Sequence, residues 1–294
     1  LEYFAGDDAI KAVAAYIEDI KNFGRFMEAL RITTPRKPVI ILKGGVTSQG
    51  AQAAASHTGA LAVRNDLWSS MLRQFGGIEA RTFEELVDLT MMAVADRLPL
   101  GNRIGFLGAG GGTSVLVTDF AYQHGLVLPE LEREAQEIIS RKISNVNTST
   151  TNPVDLGFYG FDFYVMAHTI EAMAKDDNID VIIPYFSLDF ITSFQSDQVE
   201  SGPDVIIAAM QKTRKPVIPI LSRFTENIMD EKKVRIKLTE KFRKAGLAVF
   251  STPQDCIASI SKIFWWNVFR NQVLPATEPA QNAFAAAAAK DAVT

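Results

Sequence analysis

A single histidine, His57, stands in the run Ala53-Ala54-Ala55-Ser56-His57-Thr58-Gly59-Ala60-Leu61-Ala62, among small and hydroxyl side chains. An imidazole is a good nucleophile that titrates near neutral pH, and small neighbours let backbone amides approach whatever the ring carries. A histidine that accepts a phosphoryl group needs a carboxylate to fix its tautomer. It also needs amides at a helix start to cradle the phosphate, and a loop able to move. A lone histidine more often just decorates a turn of small residues; what weighs for chemistry here is the insertion that carries it.

A second candidate is Gly108-Ala109-Gly110-Gly111-Gly112-Thr113-Ser114, between an apolar run and the helical pattern Val115-Leu116-Val117-Thr118-Asp119-Phe120-Ala121. Glycines at a helix start leave N–H groups and the positive end of the dipole facing outward, which suits an anion. The dinucleotide fingerprint fails at Thr113, where glycine or alanine is required, and no Gly-Lys-Ser/Thr follows to make a Walker loop. On its residues alone this stretch is either an anion site or a tight turn that needs glycine. Glu18 closes an apolar run, where an acid is rarely left unpaired, but on the residues alone a solvated strand end followed by Asp19 is the leading reading. Asn152-Pro153-Val154-Asp155-Leu156-Gly157 is a polar turn that could form a ligand rim, through Asn152 and Asp155, or only a turn. The aromatics after it, Phe158, Tyr159, Phe161, Phe163 and Tyr164, read as core. His124 and His168 have no metal-like companions, and no metal site is predicted.

The elements that must position these residues recur in order. Ile10 to Glu18 and Ile179 to Phe186 both read as buried strands after polar turns. Each is followed by a helical pattern and then by Arg36-Lys37-Pro38-Val39-Ile40-Ile41-Leu42 or its near twin Arg214-Lys215-Pro216-Val217-Ile218-Pro219-Ile220-Leu221. Gly76-Gly77-Ile78 then matches Ala245-Gly246-Leu247, a glycine after a helix that starts another strand. A last helix closes each copy. The first has a capping box at Thr82-Phe83-Glu84-Glu85 and an apolar face of Phe83, Val87, Thr90, Met91 and Val94. The second opens at Thr252-Pro253 with Ile257, Ile260, Phe264 and Val268 on one face. Strands alternating with helices predict α/β units with parallel sheets.

The copies differ in two places. The second has an extra strand–loop–helix unit from Arg103 to Ser114. The first holds about nine extra residues between Pro38 and Gly77, whose natural home is Gly44 to Ala62, after a strand end, where α/β sheets bind ligands. Two α/β domains are therefore expected, the first truncated at its N-terminus: residues 1–98 with the His57 loop, residues 99–271, and a linker or tail over 272–294.

Composition bounds the partners. The 294 residues are 47% hydrophobic, 10% aromatic and 22% charged, which fits a folded chain and excludes disordered or collagenous classes. A net charge of −4 lacks the basic excess that nucleic acid demands. No apolar run approaches the roughly 18 residues of a membrane span, no signal peptide opens the chain, and the lone Cys256 fits a reducing compartment. The expected location is cytoplasmic, with neither nucleic acid nor membrane as partner.

Lys43-Gly44-Gly45 through Ser56-His57-Thr58-Gly59-Ala60-Leu61-Ala62, Gly101-Asn102-Arg103 through Gly110-Gly111-Gly112, and Asn152-Pro153-Val154-Asp155-Leu156 together resemble the ADP-forming acyl-CoA synthetases of the succinyl-CoA synthetase superfamily. The likeness covers roughly residues 1–270 and implies that both α/β domains are flavodoxin-like. It implies that His57 is a phosphohistidine relaying phosphate between a nucleotide site and an acyl/CoA site, and that Glu18 orients it. It implies two phosphate-binding helix starts, near Ser56, Thr58 and Gly59, and near Gly110, Gly111, Gly112, Thr113 and Ser114. ATP/ADP and CoA would be co-substrates of the full enzyme. Mg2+ is expected at an ATP-grasp domain that this chain lacks, as it lacks a CoA-binding domain. Those two domains or subunits, and a small carboxylic acid, are the implied partners, in an oligomer. Some relatives fused to acetyltransferases have lost the histidine and act as sensors, so the rival reading is a non-catalytic acyl-CoA or nucleotide-sensing scaffold. A weaker rival is a Rossmann-type oxidoreductase. Retention of His57 favours a catalytic parent.

Overall fold

The computed structural model describes residues 1–52, 65–194, 199–222 and 229–273. The chain divides into two compact units: Leu1–Asp96 with the chain from Trp265 onward, and Arg97–Phe264. Each is α/β, and among the described residues the named strands pair with one another in parallel.

In the first unit the order is β1 (Val13–Ile17), β2 (Val39–Lys43), β3 (Ile78–Ala80). The central β2 is buried along all five residues, as a strand covered on both faces must be. The N-terminal apolar run was expected to be a buried strand from Ile10. The observed strand is shorter, and its exposure alternates along Val13–Ile17 because successive side chains point to opposite faces of the sheet. Ala14 and Tyr16 therefore face outward. Val13, Leu30, Val39, Ile41, Trp68, Met71 and Leu72 form the core, each large apolar side chain contributing about 1.5–3 kcal/mol by leaving water.

Helix α1 (Phe23–Thr33) is capped by Asn22, whose side chain accepts from the Arg25 amide at 2.9 Å. Helix α2 (Asn65–Gln74) ends at Gly76, with φ +72°; the Gly77 amide donates to the Leu72 carbonyl at 2.8 Å, closing the helix and starting β3. Helix α3 (Phe83–Val94) has its Thr82 cap, accepting from the Glu85 amide at 3.1 Å, and the Glu85 carboxylate reaches back to the Arg81 amide at 2.7 Å. Its inward face is not the expected one. Leu89, Met92 and Ala93 are buried, while Phe83, Val87 and Val94 are exposed.

The second unit orders its strands β5 (Val154–Asp155), β4 (Ile104–Gly108), β6 (Val181–Ser187), β7 (Ile220–Ser222), and Phe250 adds a parallel bridge to Ile220. Counted within the unit this is 2-1-3-4-5, the flavodoxin-like arrangement, whose switch point lies at the first strand. The Pro216 run is the near twin of the Pro38 run that forms β2, but it is a strand only in part. Only Ile220–Ser222 forms a ladder, with Val217 making a single bridge to Ile182, since Pro216 and Pro219 cannot donate.

The core packs α4 (Gly111–Gln123) and α5 (Arg133–Ser140), then α6 (Phe163–Lys175), α7 (Gly202–Gln211) and α8 (Met229–Lys244), around this sheet. The final helix α9 (Pro253–Val273) is capped by Thr252, which accepts from the Asp255 amide at 3.1 Å. It buries Cys256, Ile257, Ile260, Ile263 and Trp266, whereas the expected Val268 is exposed. No helix among the described residues is long and apolar enough to cross a membrane.

Candidate functional site

Parallel strands that all end at one edge gather their following loops there. In the first unit that edge brings together the ends of β1 and β2. Glu18 follows β1 directly, half-buried. The Tyr16 hydroxyl, two residues earlier on the same face of the strand, donates to Glu18 Oε1 at 3.0 Å. That bond holds the Tyr16 phenol above its ordinary pKa, so it remains a donor.

Lys43 ends β2 with its side chain buried. Its ammonium donates to the Gly44 carbonyl at 2.8 Å and, in a long contact of 3.5 Å, to the Glu18 carbonyl, 5.8 Å from the centre of the Trp68 ring. Burial lowers the Lys43 pKa. Gly44 lies where a Cβ would come within 2.5 Å of Tyr16 Oη and 3.3 Å of Glu18 Cγ. Only glycine lets the two strand ends approach this closely.

After Gly45, at φ +70°, the chain turns helical at 48–52. Thr47 caps this turn, its hydroxyl accepting from the Gly50 amide at 3.0 Å. The expected helix start near Ser56 lies outside the described residues. His57, Ser56, Thr58 and Gly59 lie outside the described residues.

In the second unit the glycine turn follows β4, at the switch point. Gly110 takes φ +106°, a conformation costly for any side chain, and caps α4. The Thr113 and Ser114 amides donate to the Gly110 carbonyl at 3.1 and 3.4 Å. The Gly110 amide donates to Asp155 Oδ1 at 3.0 Å, and that oxygen also accepts from the Gly157 amide at 2.9 Å. Among the described residues the Gly111 and Gly112 amides meet no acceptor, and both residues are exposed. The anion-binding capacity of the turn thus rests on these two amides and the α4 dipole.

Asp155 is the clamp of this turn. A Cβ at Gly111 would lie 3.2 Å from its Oδ2. Asn152, taken with Asp155 as a possible ligand rim, is committed to the fold. Its Oδ1 accepts from the Phe106 amide at 3.0 Å, and its Nδ2 donates to the Ile104 and Pro129 carbonyls at 2.8 and 2.9 Å. It pairs with the edge of β4 where a strand would otherwise continue.

The aromatics that follow divide. Phe163 is core, but Phe158, Tyr159 and Tyr164 are exposed, and Phe161 stacks on Phe190 with centroids 5.1 Å apart. His124 and His168 satisfy backbone carbonyls of Phe120 and Ile138. Sequence reasoning missed Tyr16 and Lys43 as members of the Glu18 cluster. A lysine interrupting an apolar run just before Gly-Gly was the available signal.

Residues 1–93 match the family described as succinyl-CoA ligase like flavodoxin domain. The chain is 31% identical to the alpha subunit of acetate–CoA ligase [ADP-forming] II of Pyrococcus furiosus, over 88% of this chain and 54% of that one. It is 36% identical to the acetate–CoA ligase [ADP-forming] of Methanocaldococcus jannaschii, over 53% of this chain and 22% of that one. The chain thus spans about half, or less, of the length of these curated relatives. The solved structure of the dinucleotide-forming acetyl-coenzyme A synthetase 1 of Ca. Korarchaeum cryptofilum, in complex with phosphate and ADP, shares the fold. Its TM-score is 0.76 at 22% identity, over 94% of this chain and 57% of that one.

Proposed function

We propose, from the family match over residues 1–93 and the 31% identity to an ADP-forming acetate–CoA ligase alpha subunit, that the chain belongs to the ADP-forming acyl-CoA synthetases of the succinyl-CoA synthetase superfamily and is the phosphate-relay part of an acid–CoA ligase. The overall reaction converts a carboxylate, ATP and CoA to acyl-CoA, ADP and phosphate. A ring nitrogen of His57 attacks the γ-phosphorus of ATP, and ADP leaves. The carboxylate then takes the phosphoryl group from His57 as an acyl phosphate, and the CoA thiolate displaces inorganic phosphate from the acyl carbon. Each step is reversible.

In this reading Glu18 holds the imidazole tautomer that leaves the attacking nitrogen unprotonated, and the Gly111 and Gly112 amides receive phosphate oxygens through charge-assisted hydrogen bonds. Residues 1–98 and 99–271 act as the two ligase domains. An ATP-grasp domain, with its Mg2+, and a CoA-binding domain complete the enzyme, in the same chain or in another subunit of an oligomer in the cytoplasm. The observation that carries the proposal is the glycine turn at the switch point of the second sheet, with two unspent amides at the start of a 13-residue helix.

The test is to incubate the complete ligase containing this chain with labelled ATP and to look for an acid-labile, base-stable phosphoryl adduct. The adduct is expected in the parent and absent from His57→Ala. No adduct in the parent, or an adduct that survives the substitution, would overturn the relay and favour a sensing module.

A further inference from the structure

We propose that Tyr16 is the positioning residue for Glu18: its hydroxyl fixes the Glu18 carboxylate, and Gly44 keeps open the space in which the two meet. This rests on the reading of Glu18 as the acid paired with His57. A glutamate side chain has three rotatable bonds and, past a strand end and half exposed, no reason of its own to keep one orientation.

Three observations supply that reason. Tyr16 Oη donates to Glu18 Oε1 at 3.0 Å, leaving the second carboxylate oxygen for another donor. The Tyr16 ring is held in turn, with its centroid 5.3 Å from that of Phe83 at the start of α3. Gly44, the first residue past β2, has no Cβ where one would lie 2.5 Å from Tyr16 Oη.

These features also explain an aromatic that is otherwise misplaced. Tyr16 is 48% exposed, so little core packing is gained by an aromatic at this edge position. Lys43 anchors the neighbouring backbone through the Glu18 and Gly44 carbonyls, and Tyr16 sets the Glu18 side chain. The ring and hydroxyl together act as a rigid prop of two χ angles for a flexible acid, which is what pre-organisation of a reacting group requires.

The experiment is a double-mutant cycle on the complete ligase, reading the rate and extent of phosphohistidine formation from labelled ATP, with thermal melting of each variant as the control for folding. Glu18→Gln is expected to slow the adduct strongly. Tyr16→Phe is expected to slow it about tenfold, with the KM for ATP and the melting temperature near the parent's. In the Glu18→Gln background Tyr16→Phe should cost nothing further, because it acts only through the acid. Gly44→Ala should reproduce the Tyr16→Phe loss by displacing the hydroxyl. If Glu18→Gln is slow while Tyr16→Phe is normal, or if the two losses multiply, the positioning role of Tyr16 is overturned and the reading of Glu18 stands. If Glu18→Gln forms adduct at the parent's rate, both fall together.

Discussion

Asp155 shows how a residue's place in the sheet decides its work. As the last residue of β5, paired with β4 through Gly108, it reaches across to the glycine turn and gives one oxygen to two backbone amides. Removing it leaves both N–H groups without their acceptor, at a cost of about 1–3 kcal/mol. Asp155→Ala should therefore lower the urea midpoint, and Asp155→Asn, which keeps a carbonyl oxygen, should lower it less. Equal midpoints for Asp155→Ala and the parent would show that the clamp carries no stability. The motif around Asp155 was legible as a polar turn. Its division of labour was not, because Asn152 and Asp155 are equally good hydrogen-bonding side chains. Only the arrival of β4 beside them commits Asn152 to strand carbonyls and an amide, and Asp155 to the loop.

Two of the helix caps were readable in advance, since a cap is a local pairing of a side chain with an amide three residues on. Thr82 and Thr252 make it as their sequence contexts suggest. The inward faces were less readable. In α3, Phe83, Val87 and Val94 lie at helical spacing, yet Leu89, Met92 and Ala93 are the residues pressed onto the sheet. Both sets are apolar, and periodicity alone does not choose between two apolar stripes on one helix. The glycine that ends α2 is a firmer case. Gly76 has φ +72°, and a Cβ there would lie 2.1 Å from the Phe269 ring. Gly76→Ala combines left-handed strain, about 1–2 kcal/mol, with a clash that must displace a ring of α9, so a loss of more than about 2 kcal/mol is expected in chemical denaturation. A loss within 0.5 kcal/mol, the scale of an ordinary surface change, would contradict the packing described for this turn.

At the scale of the whole molecule, the first unit is built from two distant stretches of chain. Trp266, on α9, is buried, and its Nε1 donates to the Thr34 carbonyl at the end of α1 at 2.8 Å. Truncating it removes a large core side chain and that bond, a loss of about 3–5 kcal/mol. Trp266→Ala should accordingly weaken amide-exchange protection along α1 and β2, which are more than 200 residues away in sequence. Unchanged protection there would mean that the first unit stands without α9. The alternation of strand and helix, the Thr82 and Thr252 caps, the glycine turn and the family likeness could be read from the residues alone, because each depends on spacing within a few turns or on a short run of residue types. Tertiary structure alone decided that β1 is an edge strand exposing Tyr16, which oxygens Asp155 and Asn152 commit to which amides, and that α9 closes the first unit. Each of those outcomes depends on which neighbour arrives at a given edge or face, and that neighbour lies far away along the chain.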